Sequence, residues 1–170
     1  MLEFDLVIVR HAEAVEALHF SSDSERRLTP RGERQANGID QVRRMLNLPS
    51  PQLVFTSGYM RAEQTLERAL KGEVLSVIRD GVFAPDGSVE SAWAMILKEL
   101  GSRQYQSAPC IWVVGHNPHI ERFTQLLDGR VGHALRPFKK ANLAWLGITV
   151  WEADHCEAVL KAYIPGLKGA

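Results

Sequence analysis

Leu6-Val7-Ile8-Val9-Arg10-His11 is the stretch on which the fold turns. Four apolar residues in succession, without polar alternation, are the pattern of a strand buried on both faces of a parallel sheet. A cation and an imidazole follow at once, so this strand ends in side chains that packing does not require. Similar apolar runs recur at residues 53–55, 74–78 and 111–114, with segments of helical period between them. Thr29 as N-cap, with Pro30 in the first turn, opens a helix through Ile39, Val42 and Leu46 that must end before Pro49. Residues 59–70 carry Ala62, Leu66 and Leu70 on one face, and residues 89–100 and 118–127 read as two more helices. The Ser21 to Ser24 region has the polar composition of a loop.

Strands alternating with helices predict an α/β domain, a three-layer α/β/α arrangement with a mostly parallel central sheet. The tail departs from the alternation. Residues 144–151 and 156–163 are strand-like around Glu152-Ala153-Asp154-His155, which predicts a C-terminal hairpin. A length of 170 residues, without internal repeat or linker, fits one domain over residues 1–170.

Composition narrows the partners. Hydrophobic residues make up 45% and charged residues 24%, which excludes disordered and fibrous classes. Lys plus Arg and Asp plus Glu are equal at 20 each, so no global field draws the chain to nucleic acid or an anionic membrane, and anion binding must be local. No nucleic-acid motif is present. No stretch approaches the roughly 20 apolar residues of a membrane span. The opening MLEFDLVIVRH lacks the basic-then-apolar order of a secretory leader, so a cytoplasmic protein is expected. Cys110 and Cys156 sit in apolar runs and read as reduced thiols, and Trp93, Trp112, Trp145 and Trp151 read as core. His116 with His119, and His155 beside Asp154 and Cys156, complete no zinc pattern, so neither metal nor cofactor is expected.

Three signals fall just beyond the carboxyl ends of strands, where open α/β sheets place their chemistry. They are Arg10-His11, the stretch from Thr56-Ser57 to Arg61, and Gly115-His116-Asn117-Pro118. Parallel strands would bring two arginines and two histidines to one pocket. Arginine offers a planar fork of donors that matches phosphate oxygens and does not titrate away. Arg61 also lies near a helix start, where unpaired N–H groups favour an anion. Histidine attacks when neutral and donates when charged, so the pair could divide those roles. Each signal has a plainer reading alone: a surface arginine, a half-buried ring, a helix-capping turn. Their joint placement at three strand ends favours a phosphoryl site.

Val9-Arg10-His11-Ala12, the run from Thr56-Ser57 to Arg61-Ala62-Glu63-Gln64-Thr65, and Val114-Gly115-His116-Asn117-Pro118 resemble the motifs of the histidine phosphatase superfamily, also called the phosphoglycerate mutase-like fold. Within it, the short chain and the Ser22-Asp23-Ser24-Glu25-Arg26-Arg27-Leu28-Thr29 stretch are similar to the SixA-type phosphohistidine phosphatases. The likeness spans residues 5 to about 125. It implies His11 as the nucleophile, with Arg10, Arg61 and His116 binding the phosphoryl group, and no metal or cofactor. It also implies a phosphorylated protein of the histidine phosphotransfer type as substrate.

Departures sharpen the expectation. Ala12 stands where many members have glycine, and residues 13–19 lack the asparagine common in mutases and sugar phosphatases. The acid that the resemblance to the superfamily implies after the third strand has two candidates, Asp86 and Glu90, which read equally well as a turn residue and first-turn helix chemistry. An alkoxide leaving group needs protonation far more than an imidazole, whose conjugate acid has a pKa of about 6.5. The short connection from Ile78 to Val89 leaves no room for a helical lid. Phosphohistidine on another protein is therefore the expected substrate. A phosphomonoesterase for a small metabolite and a non-catalytic phosphohistidine-binding module are the alternatives.

Overall fold

The computed structural model describes residues 1–73, 76–127, 129–152 and 155–166. Six strands form one sheet: β1 (Leu2–Arg10), β2 (Leu53–Thr56), β3 (Val77–Arg79), β4 (Cys110–Gly115), β5 (Leu143–Glu152) and β6 (His155–Ile164). Their order across the sheet is β3-β2-β4-β1-β5-β6. The β1/β4, β2/β4 and β2/β3 pairs are parallel, while β1/β5 and β5/β6 are antiparallel. The mostly parallel sheet and the C-terminal hairpin are thus both present. β1 outruns its apolar segment because Leu2 to Phe4 pair with β5 alone, before β4 begins at Cys110. Of the expected third strand, Val74 and Leu75 lie outside the described residues, as do Ala153 and Asp154 of the hairpin turn.

Helices α1 (Pro30–Met45), α2 (Met60–Leu70), α3 (Val89–Gly101) and α4 (His119–Leu127) cover both faces, and a short α5 (Gly129–Ala134) follows. Successive side chains along a strand point to opposite faces. Leu6, Ile8, Phe55, Ile111 and Val113 accordingly pack with Trp93 and Ile96 of α3 and Phe123 of α4. Val7, Val9, Val54, Trp112 and Val114 pack with Ala36 and Ile39 of α1 and Ala62 and Leu66 of α2. Each fully buried side chain of this size contributes about 1.5–3 kcal/mol, which is why continuous apolar strands belong in the middle layer. Of the four tryptophans expected in the core, Trp93 and Trp112 are buried, but Trp151 on β5 is 45% exposed. It lies at the end of the hairpin, beyond the helical cover, against the His155 ring. α5 escaped the sequence reading because GRVGHA has two glycines and no apolar period.

Among the described residues no helix is long and apolar enough to cross a membrane. Cys110 is a buried free thiol, and the half-buried Cys156 donates from Sγ to Leu127 O at 3.4 Å.

The start of α1 presses on the segment that leaves β1. Thr29 caps the helix, its Oγ1 accepting from Gly32 N at 3.0 Å and donating to Glu13 Oε1 at 2.8 Å. Glu13 O accepts from Thr29 N at 3.0 Å. A Cβ at Gly32 would lie 1.9 Å from Glu13 O, so glycine permits this approach. Gly32→Ala should destabilise the protein by about 1–3 kcal/mol, the usual cost of overpacking. Urea denaturation with an unchanged midpoint would refute this close contact.

Candidate active site

Backbone register sets the site. Arg10 pairs with Gly115, and Thr56 with Val114, so β1, β2 and β4 end at one level. His11, Ser57 and His116 are therefore the first residues past three adjacent strands. His11 N donates to Gly115 O at 2.9 Å. The chain entering β5 closes the same edge, with Ala141 N donating to Arg10 O at 3.1 Å. Beyond β2, Gly58 has a φ of 77°, a left-handed conformation that lets the chain turn sharply into α2. Arg61 then falls in the first turn of α2, and only 3% of it is exposed.

The structure brings His11, Arg10, Arg61 and His116 together. The His11 and His116 rings lie 5.0 Å apart, and the Tyr59 ring is 5.1 Å from His116 on another side. Arg61 Nε donates to His11 Nε2 at 3.3 Å, and its guanidinium carbon sits 5.0 Å from the Tyr59 centroid. Arg10 is fixed by donating from Nη1 to Phe138 O at 2.8 Å, and Asn117 Nδ2 donates to the same carbonyl at 3.0 Å. Open space adjoins the cluster on the Arg10 side, in a cleft of about 410 Å³ that Arg31, Lys139 and Lys140 also line.

The tautomer of His11 follows from its partner. Nδ1 lies 2.7 Å from Ala12 O, and a carbonyl can only accept, so Nδ1 carries the proton. Nε2 keeps its lone pair and faces Arg61. Burial pushes the His11 pKa down to about 3; the Ala12 carbonyl opposes this, and Arg61, Arg10 and Lys140 add to it. Burial, with His11 and Arg61 as neighbours, pushes His116 down to about 2. Both rings are thus neutral near pH 7, and within the protein's own field no division into one neutral and one charged histidine exists. His116 Nε2 lies 2.7 Å from Ser57 Oγ, while its buried Nδ1 has no hydrogen-bond partner among the described residues.

Asp86 and Glu90 do not join this cluster. Both are exposed. Glu90 lines a separate surface cleft beside Arg122 and accepts from Ser88 Oγ at 3.0 Å. Hydrogen bonds from its own backbone N–H and from Ser88 hold its carboxyl below the usual range. The carboxylate that does reach the site is Asp23, whose Oδ2 accepts from Arg61 Nη2 at 2.8 Å. Ser22-Asp23-Ser24 reads as a loop, and nothing in its composition signals that role. Supporting roles for Gln64 and Thr65 were likewise concealed within the Arg-Ala-Glu-Gln-Thr run. Thr65 Oγ1 accepts from Ala12 N at 3.0 Å, and Gln64 Oε1 accepts from Leu28 N at 2.8 Å. Among the described residues no group of three or more His, Cys, Asp or Glu is placed to hold a metal ion.

His119, buried one turn further on, lies 6.2 Å from Phe123 in a stacked arrangement, and burial pushes its pKa down to about 4. A depressed pKa means that the unfolded chain, with a histidine pKa of about 6.5, takes up protons the folded chain refuses. Stability is therefore retained above pH 6.5 and lost as pH falls towards 4, at up to about 1.4 kcal/mol per unit for each such histidine. His119→Phe should lose less stability than wild type between pH 7.5 and pH 5 in urea titrations. Equal losses would contradict a neutral, buried His119.

Residues 6–83 match the family model described as histidine phosphatase superfamily, branch 1. A provisionally assigned phosphohistidine phosphatase SixA from Nakamurella multipartitia is similar over 98% of each chain, with 27% identity and a TM-score of 0.78. A protein of the same provisional assignment from Agrobacterium tumefaciens covers 95% of this chain and 97% of its own, at 20% identity and a TM-score of 0.74. The protein histidine phosphatase SixA complexed with tungstate covers 95% and 96%, at 21% identity and a TM-score of 0.76. These last two likenesses are of fold. No match is found among curated protein sequences. Strand-end motifs and six-stranded sheet thus agree: residues 6–83 match the histidine phosphatase superfamily, and the chain shares the phosphoglycerate mutase-like fold of the Nakamurella protein.

Proposed function

We propose that the protein is a phosphatase that removes the phosphoryl group from phosphohistidine on a partner protein of the histidine phosphotransfer type, through a covalent phosphohistidine at His11. The state of the His11 ring carries this reading: a neutral imidazole whose Nδ1–H is held by Ala12 O and whose Nε2 lone pair faces the Arg61 donor. Nε2 attacks phosphorus in line, the new N–P bond forms as the bond to the partner's imidazole breaks, and the leaving nitrogen keeps the electron pair. Water then attacks the phosphoenzyme, and inorganic phosphate departs while Nε2 regains its lone pair. The Ala12 carbonyl stabilises the positive charge that the phosphorylated ring develops.

Arg10 and Arg61 supply donors for the equatorial oxygens, where fixed cations in a dry site stabilise the transition state most. The phosphoryl dianion itself raises the pKa of His116 by its charge, which converts that ring towards a charged donor as substrate binds. The leaving group is read from what surrounds the site. Asp86 and Glu90 are exposed, and the Glu90 carboxyl is held ionised. An imidazole leaves without a strong acid, whereas an alkoxide does not. The link from β3 to α3, residues 80–88, holds the short Gly81–Phe83 turn and one further turn rather than a helical lid, which suits a substrate carried on another protein. The similar Nakamurella protein, assigned as a phosphohistidine phosphatase, supports the same substrate. The free thiol of Cys110 accords with a cytoplasmic setting.

Incubation with a phosphohistidine-bearing protein, followed by rapid alkaline quench, should trap an acid-labile phosphoenzyme that His11→Ala abolishes. Arg61→Ala should lower kcat by roughly 10²–10³, the range for losing one transition-state donor. Faster turnover of phosphate esters than of the phosphohistidine protein would overturn the substrate assignment. Failure to trap any phosphoenzyme, with binding intact, would leave a phosphohistidine-binding module instead.

A further inference from the structure

The clamp arginine is already engaged. Arg61 Nη1 donates to Asp23 O at 2.5 Å, Nη2 donates to Asp23 Oδ2 at 2.8 Å, and Nε donates to His11 Nε2. Each guanidinium nitrogen therefore already donates one hydrogen bond, three of the five that arginine offers. The two partners differ in accessibility: the Arg61 side chain is 4% exposed, whereas that of Asp23 is 48% exposed. Arg61 is built into α2, and Asp23 sits on the surface above it.

Asp23 belongs to a strap. Its ends are fixed where Val15 N donates to Arg27 O at 2.9 Å and Ala14 bridges Leu28. Between them, residues 16–26 form two single turns, Ala17–His19 and Asp23–Glu25. Leu18 on the strap is 90% exposed, so this part buries little apolar surface. Apart from the Arg61 contacts, the hydrogen bonds of residues 20–26 among the described groups stay local. Arg26 bonds Asp23 Oδ1 at 2.8 Å and Val15 O at 2.7 Å, and Ser24 N donates to Ser22 Oγ at 3.2 Å. Such a segment opens at low free energy while the sheet stays intact.

We propose that Asp23 is an internal stand-in for the phosphoryl group, holding Arg61 until a substrate phosphoryl displaces it and the strap swings off the site. The inference rests on the phosphatase reading and adds selectivity to it. A partner protein presents many aspartate and glutamate side chains, each with the same carboxylate as Asp23. The tethered carboxylate competes with them at high effective concentration. A phosphoryl group, with three oxygens and about 1.5–2 negative charges, exceeds a carboxylate in both donors satisfied and charge. The site is thus open to phosphoryl groups and shut to ordinary acidic side chains. Asp23 acts through Arg61 and is a positioning and gating residue, not a catalytic one.

Calorimetric titration with inorganic phosphate tests this without turnover. Asp23→Asn and Asp23→Ala should both bind phosphate roughly tenfold more tightly than wild type, because the fraction of molecules with a free clamp rises. In wild type, hydrogen–deuterium exchange at the amides of residues 23–26 should speed up on saturation with phosphate. A role confined to orienting Arg61 gives the opposite pattern: weaker binding in Asp23→Ala, near-normal binding in Asp23→Asn, and a strap unmoved by phosphate. That pattern, unchanged affinities, or no phosphate binding by any of the three proteins would overturn the proposal. Tighter phosphate binding without a trapped phosphoenzyme would sink the phosphatase reading alone. A trapped phosphoenzyme with unaltered phosphate affinity would sink the stand-in alone.

Discussion

The parallel hydrogen-bonded register of β1, β2 and β4 is the constraint on which the site depends. Because Arg10 lies level with Gly115 and Thr56 with Val114, three chain segments far apart in sequence leave the sheet at one edge. A parallel ladder also needs cover on both faces, since its crossovers place helices there. The continuous apolar strands that satisfy this demand are the same ones that carry the motifs at their ends. A one-residue slip in either ladder would exchange the two core faces and move His11 and His116 out of level. Packing and chemistry are thus specified by the same backbone bonds.

Crowding imidazoles and guanidiniums at that edge has an electrostatic consequence. Burial alone disfavours charged histidine, and neighbouring cations disfavour it further. His11 is thereby kept neutral without a carboxylate to orient it, the Ala12 carbonyl fixing its tautomer instead. Arg61 is paired with Asp23 at 2.8 Å, so this cluster of basic groups carries a carboxylate of its own. Burial of the Asp23 carboxyl works against ionisation, yet the hydrogen bonds from Arg26 and Arg61 hold its pKa below the usual range. The pair gives the nearly buried Arg61 guanidinium a carboxylate partner.

Much of this was legible in the sequence. The Leu6 to Val9 run, Thr29-Pro30 and the apolar face of residues 59–70 gave the alternation, and the residues past three runs gave Arg10, His11, Arg61 and His116. Those features are local: period, capping and strand-end placement are written in a few consecutive residues. Less legible were contacts between distant segments. Glycine-rich α5, the exposure of Trp151 and the roles of Gln64 and Thr65 depend on what lies opposite them, which no local pattern records.

Asp86 and Glu90 mark the same boundary. Sequence placed both in the region after the third strand, where the resemblance led one to expect an acid. Only the tertiary structure decides that both are exposed, that Glu90 lines a separate cleft with Ser88 and Arg122, and that Asp23 meets Arg61 across 38 residues of chain. By itself, then, the sequence determined the layers of the fold and the four groups at its strand ends. The pairing of Asp23 with Arg61, the tautomer of His11 and the neutrality of both histidines were decided by tertiary packing. Hydrogen-bond geometry and desolvation are properties of neighbours in space, not of neighbours along the chain.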